Sequence, residues 1–154
     1  MINQTSSLEF SHVPVMLNEI IKISSPVNGG NFIDCTFGGG SYSKEILKFS
    51  KTKVKAFDRD KKVFSIAKNL EKKFPHRFKF YQIKFSQLDT ILNEKVDVAI
   101  FDLGLSSIQL DDLDRGFSFK SNKQLNMTMG LNEISALEAV NNLSEVELKL
   151  VIKI

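Results

Sequence analysis

The chain has 154 residues, 42% of them hydrophobic and 25% charged, with 13 phenylalanines, no tryptophan and a net charge of +3. Those proportions fit one globular domain with a real core and exclude a disordered or fibrous chain. No apolar run approaches the ~18–20 residues that span a bilayer, so no membrane role is expected. The start MINQTSSLEF has neither the basic opening nor the apolar run of a signal peptide. A single cysteine, Cys35, can close no internal disulfide, which suits a reducing compartment; the expected location is cytoplasmic. His12 and His76 are far apart and join no Cys/His cluster, so no metal site is expected.

In chain order, PVMLNEIIKI (14–23) reads as an amphipathic helix. GNFIDCTF (30–37) is a first strand ending in glycines, and SKEILKFS (43–50) a short helix. KVKAFD (53–58) is a second strand. Residues 60–74 carry Val63, Phe64, Ala67, Leu70 and Phe74 at helical spacing, with Asp60 as N-cap and Pro75 after the end. FKFYQI (78–83) is a third strand, QLDTILNE (87–94) a short helix, and VDVAIFDLG (96–104) a fourth strand apolar enough for burial on both faces. Two short helices follow in 133–154, the second capped by Ser144 with Glu147 completing a capping box.

Strands alternating with helices predict right-handed βαβ units and a parallel, Rossmann-like α/β sheet. Four strands are fewer than such a sheet normally has. The fourth strand is expected near an open edge, where unpaired backbone invites association, a homodimer included.

In this fold ligands bind beyond the carboxyl ends of the strands, where the strand order reverses. Three strands end there in an acid: Asp34, Asp58 and Asp102. Gly38, Gly39 and Gly40 follow the first strand and let backbone approach a ligand closely. Asp58, eighteen residues past Gly40, is placed to accept two ribose hydroxyls. Phe85, after the third strand, is either an adenine-flanking ring or a core residue. Ser43 stands where a dinucleotide fingerprint has its third glycine, which argues against NAD. A ring of acids suits a cationic ligand such as S-adenosylmethionine better than a pyrophosphate. Asp111, Asp112, Asp114 and Arg115 read as a local ion-pair network shaping the loop after the fourth strand.

Charge is uneven. Residues 1–40 carry net −2, residues 41–84 carry 14 Lys and Arg against 4 acids, and residues 85–154 carry net −5. The basic block is either a nucleic-acid surface or the solvated face of two outer helices.

The segments HVPVMLNEI, FIDCTFGGGSYSKEIL, AFDRD, FDLGLSSIQLDDLDRGFSF and LNMTM, in that order, resemble the successive motifs of the MraW/RsmH family. The resemblance runs from about His12 to the last residue. It implies S-adenosylmethionine-dependent methylation of the exocyclic N4 amine of a cytidine in small-subunit ribosomal RNA, with that RNA or the assembled small subunit as partner. It implies a cofactor site of Gly40, Ser41, Tyr42, Asp58, Phe85, Asp102 and Gln109. Ser106, Ser107 and Asn126 are candidates to hold the target amine; for the two serines the alternative is a turn that satisfies local backbone. Many members read Gly-Gly-His where this chain has Gly40-Ser41-Tyr42. They commonly read Leu-Asp-Met-Arg-Met where it has Leu125-Asn126-Met127-Thr128-Met129, which removes an acid and a base near the expected substrate pocket. By the same resemblance, residues 1–130 are a partial methyltransferase domain and 131–154 the start of an inserted helical substrate-recognition domain. The rival readings are a truncated, non-catalytic cofactor-binding fragment and, less favoured, an NAD-type oxidoreductase.

Overall fold

The computed structural model describes residues 14–131 and 134–153, so the opening of the first motif at His12 lies outside the described residues. Four parallel strands form one sheet: β1 (Gly30–Asp34), β2 (Thr52–Phe57), β3 (Phe78–Tyr81) and β4 (Val98–Ile100), in the order β3-β2-β1-β4. β4 is an edge strand, as the sequence predicts. The helices are α1 (Leu17–Ser24), α2 (Ser41–Ile46), α3 (Phe64–Lys73), α4 (Ser107–Asp111), α5 (Ala136–Asn142) and α6 (Glu145–Ile152).

Side chains alternate across a strand, and here the two faces carry different loads. Phe32, Val54, Ala56, Phe78, Phe80 and Ile100 project into the main core, where α1, α2 and α3 cover them with Leu17, Ile20, Ile46, Leu47, Ala67 and Leu70. The Phe37 ring closes the top of that core against Phe78 and Phe80, at centroid distances of 5.7 and 5.4 Å. On the opposite face Ile33, Cys35 and Phe57 form a smaller cluster under Leu88, Ile91 and Leu92. Cys35 is buried, and desolvation pushes its thiol up to about 11, so it is an inert packing residue.

Three sequence expectations change. Residues 87–94 are not an α-helix: Phe85–Thr90 forms 3-10 turns interrupted by a non-helical Gln87. β4 is three residues long rather than nine, and its Ala99 is exposed; among the described residues only β1 pairs with it. The helix expected from residue 43 starts at Ser41, since Gly40 takes the left-handed turn just before it.

Helices α5 and α6 bury no residue. Both have the predicted capping boxes, Ser135 with Glu138 and Ser144 with Glu147. The start of α5 is tied to the preceding loop by Ala136 N–H to the Asn126 carbonyl and Leu137 N–H to the Leu125 carbonyl.

Candidate functional site

The carboxyl ends of all four strands open onto one cavity of about 500 Å³. It lies where the sheet order reverses between β1 and β4, the place where this topology leaves a crevice.

The loop after β1 is shaped by Gly40, which has φ +73°. A Cβ there would lie 2.6 Å from the Phe37 ring, so both backbone and space demand glycine. Gly40 is buried behind the turn, while Ser41 and Tyr42 stand in the cavity wall. The Tyr42 hydroxyl donates to the Val15 carbonyl at 2.5 Å and lies 3.5 Å from Asp102 Oδ2. Desolvation, then the nearby Asp102 charge, raise its pKa, so it remains a protonated donor.

Asp58, past β2, accepts the Gly38 N–H on Oδ2 and the Asp60 N–H on Oδ1, both at 2.8 Å. Burial pushes its pKa up, while those backbone bonds oppose the shift. Each carboxylate oxygen accepts about two hydrogen bonds, so Asp58 keeps acceptor capacity towards the cavity that it lines. Asp102, past β4, is exposed in the same wall, and its N–H donates to Thr36 Oγ1 at 2.8 Å. Phe85 is 43% exposed, which excludes the core reading of that residue. Its ring meets Phe101 edge-on, with centroids 5.6 Å apart.

Ser106 and Ser107 line the cavity; Asn126 does not. Asn126 is exposed, and its Oδ1 accepts the Thr128 N–H at 3.2 Å, a local turn contact. Met129, from the same segment, reaches the wall instead. Gln109 also reaches the wall, yet its amide is committed: Oε1 accepts the Ser106 N–H and Nε2 donates to Asp60 Oδ2, each at 3.0 Å.

Two electrostatic expectations need correction. The ring of three acids reduces to two. Asp34 is fully buried, with Ser43 Oγ donating to it at 2.7 Å, and burial raises its pKa to about 6. Arg59 joins Asp58 and Asp102 in the wall, so the surplus of negative charge is smaller than three acids suggest. Nor do Asp111, Asp112 and Asp114 pair with Arg115. Asp112 meets Lys62 at 3.2 Å, Asp114 meets Lys123 at 3.5 Å, and Arg115 reaches Asp60 at 2.8 Å. Sequence reasoning missed Thr36, the bond from Ser43 to Asp34 and the Asp60–Arg115 pair. The one available signal was Ser43, a small hydroxyl on the inner side of a helix facing a strand-end acid.

This sheet and crevice define the class: a Rossmann-like α/β fold. A solved structure from Streptococcus pyogenes, described as a conserved hypothetical protein, shares the fold with TM-score 0.50 at 19% identity over 56% of each chain. The sequence profile of the MraW methylase family matches residues 9–154, and the chain belongs to that family. It is 44% identical over 147 residues to Ribosomal RNA small subunit methyltransferase H of Ehrlichia ruminantium (strain Welgevonden), a match that covers 92% of this chain and 49% of the relative. With the protein of the same name from Rickettsia massiliae (strain Mtu5) it shares 46% over 139 residues, covering 90% and 45%. The chain thus spans about half the length of the curated relatives it matches.

Proposed function

We propose that this chain carries the cofactor-binding half of a methyltransferase that modifies the exocyclic N4 amine of a cytidine in small-subunit ribosomal RNA. The observation that carries the reading is one cavity, at the reversal of the sheet order, walled by Ser41, Tyr42, Asp58, Phe85 and Asp102. Its volume of about 500 Å³ falls within the range of small-molecule sites.

The residues fit S-adenosylmethionine. Asp58 has lone pairs left for ribose hydroxyls, Phe85 offers an exposed ring face to an adenine, and Asp102 offers an anion to a cationic group. Bound there, S-adenosylmethionine supplies a methyl group on a sulfonium. The role of the chain is then to position an amine so that its nitrogen bonds the methyl carbon as the carbon–sulfur bond breaks, the amine proton leaving to solvent. Ser106 and Ser107, beside Asp102, present hydroxyl acceptors and donors to that amine. The target base has to leave its stack to reach them. The natural partner is the ribosomal RNA or the assembled small subunit. Among the described residues no helix is long and apolar enough to cross a membrane, and we place the activity in the cytoplasm, with its substrate. Helices α5 and α6, which bury nothing in this sheet, fit the opening of an inserted substrate-recognition domain.

A second reading is binding of the cofactor without turnover. It is favoured by Asn126 and Thr128, which stand where the family motif has an acid and a base. Small ribosomal subunits incubated with methyl-labelled S-adenosylmethionine and then digested to nucleosides separate the two. Label in N4-methylcytidine is the expected result; tight cofactor binding with no label supports the second reading.

A further inference from the structure

We propose that Asp60 and Arg115 are a positioning pair that holds the cofactor side of the cavity at a fixed distance from its substrate side. The proposal rests on the functional reading above for what those two sides do. Its structural content stands alone.

Asp60 is 1% exposed. A buried charge is costly unless it is paired and hydrogen-bonded, and this carboxylate is both. Oδ1 accepts the Lys62 N–H at 3.0 Å, capping the turn into α3. Oδ2 accepts Gln109 Nε2 at 3.0 Å and meets the Arg115 guanidinium at 2.8 Å. Desolvation alone would raise the Asp60 pKa, but the Arg115 guanidinium beside it and the hydrogen bonds from the Lys62 backbone and Gln109 together hold it below the usual carboxylate range.

Each partner leads to a different wall. The Asp60 N–H donates to Asp58, which in turn holds the Gly38 amide. Gln109 holds the Ser106 amide, at the start of the loop that carries the two candidate serines. Arg115 donates from Nη2 to the Thr128 carbonyl at 2.8 Å, and its own carbonyl accepts the Met127 N–H at 2.8 Å. That fixes the segment from which Met129 enters the cavity. Behind Arg115, Gly116 has φ +73°, and a Cβ there would lie 2.6 Å from the Gln124 carbonyl, so the chain doubles back tightly beside the segment.

Three walls thus meet at one residue, two through its carboxylate and one through its backbone N–H, and neither Asp60 nor Arg115 lines the cavity itself. A helix cap needs only the Lys62 contact. A buried ion pair adds little stability compared with apolar packing; its best-attested use is to fix register between parts. The two hydrogen bonds from α5 to residues 125 and 126 hold the far end of the segment, not the part nearest the cavity.

The test uses Arg115→Lys and Asp60→Asn in the chain. Lysine keeps a cation for Asp60 but cannot hold both Asp60 and the Thr128 carbonyl in Arg115's forked geometry. Without cofactor, amide hydrogen exchange in residues 126–130 should speed up by roughly tenfold or more in Arg115→Lys, with residues 36–42 unchanged. In methyl transfer, kcat should fall roughly 100-fold, the scale of a 1 Å misplacement, with KM for S-adenosylmethionine within about twofold. If Asp60→Asn does not fold, Arg115→Lys carries the test. Exchange that rises evenly along the chain, or not at all, overturns the proposal, as does a KM rise matching the kcat loss. Absence of methyl transfer in the unaltered chain would instead count against the functional reading, and the exchange result would still decide the pair.

Discussion

The Asp58 carboxylate holds the Gly38 amide at 2.8 Å, so the tip of β2 and the glycine loop after β1 form one mechanical unit. The same acid has to serve both the loop and a ligand. Asp58→Ala is therefore expected to weaken S-adenosylmethionine binding by about 1.5–3 kcal/mol, the scale of charge-assisted hydrogen bonds. It should also speed exchange of the Gly38 amide. Calorimetry and amide exchange check the two effects separately, and unchanged affinity would remove Asp58 from the ligand site.

Asp34 predicts a pH dependence. Its folded pKa is raised to about 6, from the ordinary carboxylate value of 3.8, chiefly by burial. Between those values the folded state holds a proton that the unfolded state has lost, so stability falls as pH rises through that window and levels off above about 6. The shift corresponds to roughly 3 kcal/mol. Asp34→Asn keeps a group able to bond Ser43 and does not titrate. It should flatten the stability curve between pH 4 and about 6 and be the more stable form at pH 7.5, as measured by denaturant unfolding across pH. Equal slopes for both proteins would mean that Asp34 is not the titrating group.

Glycines 39 and 40 give a paired test. A Cβ at Gly40 meets the Phe37 ring at 2.6 Å with φ +73°, whereas one at Gly39 meets nothing within 4 Å. Gly40→Ala should cost about 2 kcal/mol or more, and Gly39→Ala should leave the thermal midpoint nearly unchanged. Equal effects would contradict this account of the loop.

Lys61, Lys62, Lys72 and Lys73 are exposed on the turn before α3 and on its last turn, and Lys62 is engaged with Asp112. Neutralising all four should change the log–log salt slope of RNA binding by less than about one unit. A drop of roughly three or more would make this block the RNA footprint.

The sheet was legible because its signals are local. Alternating apolar runs in 30–34, 52–57 and 78–81 mark strands whichever partners they meet. The length of β4 was not legible, since VDVAIFDLG reports a capacity for burial that only neighbouring elements can fill. Asp58, Phe85 and Asp102 could be placed because the topology brings strand ends together. Asp34 was misassigned to the cavity because the sequence does not reveal that Ser43 seals it. Arg115 has three acids within four residues, yet it pairs with Asp60 across 55 positions, and such long-range partners leave no periodic trace.

The central claim is that the cavity between the glycine loop and the ends of β2 and β4 binds S-adenosylmethionine. The most direct measurement is an equilibrium titration of the chain with S-adenosylmethionine and, in parallel, with NAD, repeated on Asp102→Ala. The account predicts saturable one-to-one binding of S-adenosylmethionine, weakened by about 1.5–3 kcal/mol in Asp102→Ala, with no saturation by NAD. Saturable NAD binding, or S-adenosylmethionine binding unaffected by Asp102→Ala, would contradict it.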